Sequence, residues 1–286
     1  MATTIKEGFL QLRRNLEITD LQYQTVSTRQ TNVRDAVEKE LTVLDSFLTG
    51  SYRRSTMISP LNEADVDVFV VLSSDYFEQG GYASLLDKVK QALKKTYKTP
   101  DISPIGHAVT IVFSDFKVDV VPAFDRKGGG FLIPDSIGKK WISTDPKKHV
   151  ELWTASNKAH DGDLVPLIKM IKGWNKTHSA SLRSFYLECM VRDALTNVTI
   201  SNFPSGVRYA LEKLKTKVTF KVPDPSGYDG DVGAYLVGSE LAETVKRLEK
   251  AYGYAIEAER LEKAGRTEQA FDYWRAIFSD YFPAYG

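Results

Sequence analysis

The chain has 286 residues, and its 38 basic side chains almost cancel its 37 acidic ones, for a formal charge of +1. That balance excludes the strong basic excess of a protein that coats nucleic acid or an anionic membrane, and it leaves no strong sign of nucleic-acid binding. With 42% apolar residues and a single cysteine, Cys189, the sequence calls for a large core without an internal disulfide, which fits a reducing cytoplasm. The N-terminal stretch lacks the apolar core of a signal peptide, and no run reaches membrane-spanning length, so no membrane partner is expected.

Residues 4–41 read as helix with a break near residues 17–20, since Val26, Val33, Val37 and Leu41 recur at spacings of seven or four. Val43–Leu48 follows as a short strand or turn. Ser51 is expected to cap a short helix starting at Tyr52, whose free N–H groups suit phosphate oxygens. Asp65–Leu72 (DVDVFVVL) alternates with a period of two and predicts a strand. Residues 84–97 form an amphipathic helix. Residues 108–113 and 116–121 then carry a hairpin signature across Ser114-Asp115, ended by Pro122. Residues 125–135 (DRKGGGFLIPD) are expected to be a flexible loop, and residues 141–146 to be irregular. The triplet Gly128–Gly130 lacks the Gly-Lys-Ser/Thr that would make it a P-loop, and reads as a flap or hairpin end. Helices are expected at 163–176, 182–195, 205–214, 239–264 and 267–281, with a short strand at 218–222 and a turn-rich loop at 223–233. Strands thus concentrate in the first half and helices in the second, which suggests lobes at 1–160 and 161–286.

Asp65 and Asp67 stand two apart on the predicted strand, so their carboxylates share a face. Two carboxylates among valines repel each other and lose hydration unless something positive sits between them. A hard divalent cation meets that need, and Mg²⁺ typically takes one or two carboxylates plus substrate phosphates. Gly50-Ser51 stands upstream, separated from Asp65 by thirteen residues. Asp119 is another carboxylate among valines, on a strand that one sheet could bring beside the first. The bland alternative is three carboxylates satisfied by lysines or backbone donors at a sheet edge. His107, His149, His160 and His178 show no zinc-ligand spacing with Cys189. Arg53 and Arg54 could touch phosphate or pair with nearby acids.

Gly50-Ser51, Asp65-Val66-Asp67 and Asp119 together resemble the nucleotidyltransferase superfamily of DNA polymerase β type. Residues 164–176, 182–191 and 222–227 look like the helical lobe of oligoadenylate synthetases and their bacterial relatives. The chain as a whole is most similar to the CD-NTase family, bacterial cyclic-oligonucleotide synthases related to cyclic GMP–AMP synthase. The resemblance implies an α/β, polymerase β-like fold with a mixed sheet lobe and a helical lobe around a central cleft. It implies two Mg²⁺ ions, or Mn²⁺ in their place, held by Asp65 and Asp67, with Asp119 completing one of the two sites. Nucleoside triphosphates would be the substrates and pyrophosphate the leaving group. The cyclic di- or trinucleotide product would diffuse to a separate effector in antiphage signalling of the CBASS kind.

By the same resemblance, Gly50 and Ser51 grip the donor triphosphate, Lys172 and Ser184 contact phosphates, and Phe185 stacks on the donor base. Family members often have tyrosine where Phe185 stands. They also often carry paired asparagines after the Asp-Pro loop, where this chain has Asp229-Gly230-Asp231. A regulatory protein partner is left open. Two rivals accompany this expectation. The same chemistry could serve an RNA, protein or antibiotic acceptor. Alternatively, the helix–turn–helix at 239–281, which resembles a tetratricopeptide-like unit, would belong to a scaffold with an inactive site, although one unit cannot build a solenoid.

Overall fold

The computed structural model describes residues 2–98, 101–228 and 230–286. Two capping boxes set its first helices. At α1 (Ile5–Leu16) the Thr4 hydroxyl accepts from the Glu7 N–H while the Glu7 carboxylate accepts from the Thr4 N–H, and Thr19 and Gln22 repeat the exchange at α2 (Asp20–Glu38). The expected break is therefore a helix end followed by a new start. The chain also divides there into two compact units. One comprises Ile18–Glu151 and Ser226–Asp229; the other comprises Met1–Glu17, Leu152–Pro225 and Gly230–Gly286.

The first unit is built on a mixed sheet. Its strands are β1 (Val43–Leu48), β2 (Asp65–Leu72), β3 (Asp101–Ile105), β4 (Ala108–Val112), β5 (Lys117–Asp125), β6 (Phe131–Asp135) and β7 (Lys140–Thr144). They run in the order β1-β2-β5-β4-β3, with β6 paired to β5 and β7 to β6. Among these pairs only β2–β5 is parallel. A parallel pair needs a crossover, and residues 73–116 supply it with α4 (Tyr82–Thr96) and the β3–β4 hairpin.

Val66, Val68 and Val70 of β2 and Val118 and Val120 of β5 turn to one face. There they share a core with Leu85, Leu86, Val89 and Leu93 of α4 and Val26, Val33 and Val37 of α2. Each such side chain stabilises the unit by about 1.5–3 kcal/mol. The alternate residues of β2 turn to the other face, where Phe69 and Val71 join Ala123 and Phe131 in a smaller cluster. On that face β2 is thus apolar towards its end and acidic at its beginning, at Asp65 and Asp67.

Several expectations are corrected here. Pro122 does not end β5, which continues to Asp125. The β4 partner stops at Val120, so beyond it a residue without an N–H leaves no β4 ladder bond unmade. Residues 125–135 are not a loop: Arg126 N donates to Gly130 O at 3.0 Å, three glycines with positive φ turn the chain, and β6 follows. Residues 141–146 are not irregular, because they complete β7 and open α5 (Pro146–Ala159). Residues 218–222 form no strand. Val218 caps the preceding helix, Phe220 is 66% exposed, and pairing is confined to a bridge between Pro223 and Asp231.

The second unit is helical, with α6 (Leu164–Thr177), α7 (Ser184–Ala194), α8 (Phe203–Lys217), α9 (Gly238–Lys263) and α10 (Thr267–Phe278). Helix α6 is its centre, with Leu167, Ile168, Met170 and Ile171 fully buried. Helix α1 belongs with these elements because Phe9 packs edge-on against Trp274 at 4.8 Å and Phe282 at 5.3 Å. Among the described residues no helix is long and apolar enough to cross a membrane.

Candidate active site

The parallel β2–β5 register sets Asp67 beside Asp119 and Asp65 beside Lys117. Paired residues on neighbouring strands point to the same face, so all four side chains belong to the acidic end of the second sheet face. Thr49 N donates to the main-chain oxygen of Asp67 at 3.0 Å, which ties the turn before α3 (Gly50–Arg53) to the start of β2. Gly50 has φ +64°, and a Cβ there would fall inside the Asp67 carboxylate. Glycine is required twice over, by the left-handed backbone and by the close approach.

Ser51 lies inside this short helix, with Thr49 in the cap position, so the expectation that Ser51 caps it is corrected. The Ser51 carbonyl accepts from Thr56 N at 2.9 Å and Met57 N at 3.1 Å, fixing the segment that follows. Of the next two arginines, Arg53 is exposed and Arg54 buried.

On the other side of β5, Thr110 of β4 is the register partner of Asp119, and its hydroxyl donates to Asp119 Oδ1 at 2.6 Å. Sequence reasoning missed this contact, since Thr110 reads there only as one member of an apolar strand. Asp65 keeps part of its surface in water. Even so, the protein packed around it raises its pKa, first by desolvation and then by the negative charge of Asp119, with Lys117 opposing. Asp65 and Asp119 therefore sense each other across the two strands.

Three carboxylates, oxygen donors only, with one acid destabilised by another's charge, make a donor set whose chemistry fits a hard divalent cation. Among the described residues, no group of three or more His, Cys, Asp or Glu side chains converges into a closed metal-binding cluster. The residue types and their strand placement fit the ion, while the side chains as they stand are not drawn around one point.

The remaining expected contacts lie in the helical unit. Lys172 of α6 is 6% exposed and donates from Nζ to Oε1 of the fully buried Glu188 at 3.1 Å. Lys169, three residues earlier on α6, is 3% exposed and tied to Glu17 at 2.5 Å. Ser184 is exposed at the first position of α7, and Phe185 stacks on Trp153 with centroids 5.8 Å apart and planes at 22°. Asp229 lies outside the described residues. Asp231 accepts from Val222 N at 3.1 Å and Gly233 N at 2.9 Å, so its carboxylate closes the loop on which the family's asparagines were expected.

The family model for the Second Messenger Oligonucleotide or Dinucleotide Synthetase domain matches residues 3–157. A probable cyclic nucleotide synthase of Bacillus cereus is 28% identical over 273 residues, covering 82% of this chain and 81% of that protein. A cyclic AMP-AMP-AMP synthase of an Acinetobacter species is 26% identical over 299 residues, covering 98% and 86%. The solved structure of Escherichia coli CdnC with ATP matches with a TM-score of 0.81 at 16% identity, over 98% of this chain and 99% of that one. At that identity the likeness speaks for the fold. The family model covers more than half of the chain and takes in the strands that carry Asp65, Asp67 and Asp119. The chain therefore belongs to the Second Messenger Oligonucleotide or Dinucleotide Synthetase family, as its resemblance to the CD-NTases implied.

Proposed function

We propose that this protein joins nucleoside triphosphates into a cyclic oligonucleotide, with release of pyrophosphate, at the acidic face of β2 and β5. The observation that carries the reading is the pairing of Asp67 with Asp119 across the parallel ladder, with the Gly50 backbone packed on Asp67. A cyclic product is supported by relatives described as cyclic nucleotide synthases, one of them a cyclic AMP-AMP-AMP synthase.

In each round a ribose hydroxyl of one nucleotide attacks the α-phosphorus of a second triphosphate. A phosphorus–oxygen bond forms, the bond to the bridging oxygen breaks, pyrophosphate departs with that electron pair, and the hydroxyl proton passes to water. Bound Mg²⁺, expected as two ions, supplies Lewis-acid chemistry that lowers the hydroxyl pKa and balances charge on the entering and leaving oxygens. Asp65, Asp67 and Asp119 would hold the ions. Gly50 and Ser51 offer main-chain N–H groups to the triphosphate, where the missing side chain lets backbone approach phosphate.

In this reading Lys172 and Ser184 contact phosphates, and the Phe185 ring stacks on the donor base without the hydroxyl a tyrosine would add. The protein's main contribution is to position the hydroxyl against the phosphorus, a term worth about 7–11 kcal/mol when alignment is good. Ring closure repeats the same step, with a hydroxyl of the growing product as nucleophile. The product then acts on a separate effector in antiphage signalling.

The test is incubation with all four labelled ribonucleoside triphosphates and Mg²⁺ or Mn²⁺, followed by phosphatase treatment and mass spectrometry. A phosphatase-resistant product that disappears in Asp67→Asn, while circular dichroism of that variant is unchanged, is the expected result. Label appearing on RNA or protein instead, or full turnover by Asp67→Asn, would overturn the reading.

A further inference from the structure

Asp119 sits in the middle of three strands, with Asp67 as its register partner on one side and Thr110 on the other. The Thr110 neighbours along β4, Val109 and Ile111, are fully buried and apolar, and Thr110 itself is 9% exposed. Packing alone would be met equally well by valine, which has the same branched shape and a strong strand preference. A hydroxyl in that position loses hydration and needs a partner. The partner it has is the carboxylate that must face Asp65 and Asp67, reached at 2.6 Å.

A hydroxyl donor on Oδ1 has two consequences. It restricts rotation of the carboxylate about its own bond, leaving Oδ2 as the oxygen that this contact does not occupy. It also places a positive hydrogen against a carboxylate whose charge destabilises Asp65. Carboxylate ligands are commonly held by such outer partners, whose removal costs about 10–100-fold in metal affinity or activity. We propose that Thr110 is a positioning residue, whose hydroxyl fixes the Asp119 carboxylate for divalent-ion binding. The inference rests on the metal-dependent reading of the site given above.

The experiment measures Mn²⁺ binding to the protein alone by electron paramagnetic resonance, for wild type, Thr110→Val, Thr110→Ala, Thr110→Ser and Asp119→Asn. Thermal unfolding is recorded for each, and the Mg²⁺ dependence of pyrophosphate release is measured in parallel. Thr110→Val should weaken Mn²⁺ binding about tenfold and raise the Mg²⁺ needed for half-maximal rate by a similar factor. Turnover at saturating Mg²⁺ should change less, and Thr110→Ser should restore both values.

Wild-type or tighter Mn²⁺ affinity in either hydroxyl-free variant, while Asp119→Asn loses affinity, would overturn the proposal and leave the metal-site reading standing. Failure of Thr110→Ser to recover would overturn it too, because the hydroxyl would then not be what matters. If Asp119→Asn also binds Mn²⁺ like the wild type, the metal-site reading falls and the proposal with it.

Discussion

Gly50 and Asp67 occupy positions that only glycine makes compatible, since a Cβ at Gly50 would lie inside the Asp67 carboxylate. Gly50→Ala would place an alanine at φ +64°, a left-handed conformation that costs about 1–2 kcal/mol. It would also force the carboxylate away from its place on β2. A displacement on the order of 1 Å at a reacting centre costs about a hundredfold in rate. Pyrophosphate release should fall by that factor while the melting temperature drops only a few degrees. Wild-type turnover in Gly50→Ala would show that this close approach does not shape the site.

The pair formed by Lys172 and Glu188 is buried on both sides, at 7% and 0% side-chain exposure. Removing one partner strands a charge away from water, at a cost of about 3–5 kcal/mol, whereas replacing both with apolar residues of similar volume is often neutral. Lys172→Met should therefore lower the urea midpoint of the helical unit sharply, and Lys172→Met with Glu188→Leu should restore it. If Lys172 also touches phosphate, the restored double variant will still bind a non-hydrolysable triphosphate more weakly than the wild type. Equal binding would confine Lys172 to holding the helices.

Tyr186 of α7 is 2% exposed, donates to Val218 O at 3.2 Å and meets Tyr235 edge-on at 5.9 Å. Desolvation first, then the nearby Tyr235 and Asp231, push its hydroxyl from 10.0 up to about 12. The folded value lies above the unfolded one. The stabilisation is therefore fully present below pH 10.0 and is lost as pH rises towards about 12, since the unfolded chain ionises first. Tyr186→Phe should lower stability at neutral pH by about 1 kcal/mol through the lost hydrogen bond. It should also flatten the decline in the alkaline range. Urea midpoints of both proteins at about pH 8 and about pH 11 test this, and parallel declines would contradict it.

What could be read from the sequence was local and periodic. Asp65 and Asp67 declared themselves because a strand of period two fixes which residues share a face. The hairpin of β4 and β5 was legible for the same reason. The neighbour of Asp67 was not. Bringing Asp119 beside it requires a parallel crossover through α4 and the β3–β4 hairpin, which spacing permits but does not impose.

The glycine triplet made β6 look like loop, although positive φ at Gly128, Gly129 and Gly130 is what lets the chain turn back into a strand. Pro122 looked like a terminator because the sequence does not reveal where β4 stops pairing. The Thr110–Asp119 and Lys172–Glu188 contacts escaped because a single hydroxyl or acid among apolar residues has no period. Their partners are set by register and helix packing.

Helix α1 buries Phe9, Leu12 and Leu16 in the helical unit, beside an α10 that is encoded some 250 positions later. Domains tend to fold as they emerge from the ribosome, N-terminal parts first. The sheet unit is nearly complete once Glu151 has emerged, lacking only residues 226–229, but α1, which packs on α6 and α8 as well, gains the aromatic partners of Phe9 only when α10 and the residues after it appear. Between those two points the nascent chain carries a largely folded sheet and an apolar helix whose Phe9 side is still uncovered. Such a species is prone to self-association. A ribosome paused within α9 would leave the sheet that bears the aspartates largely assembled and the chain around it sticky.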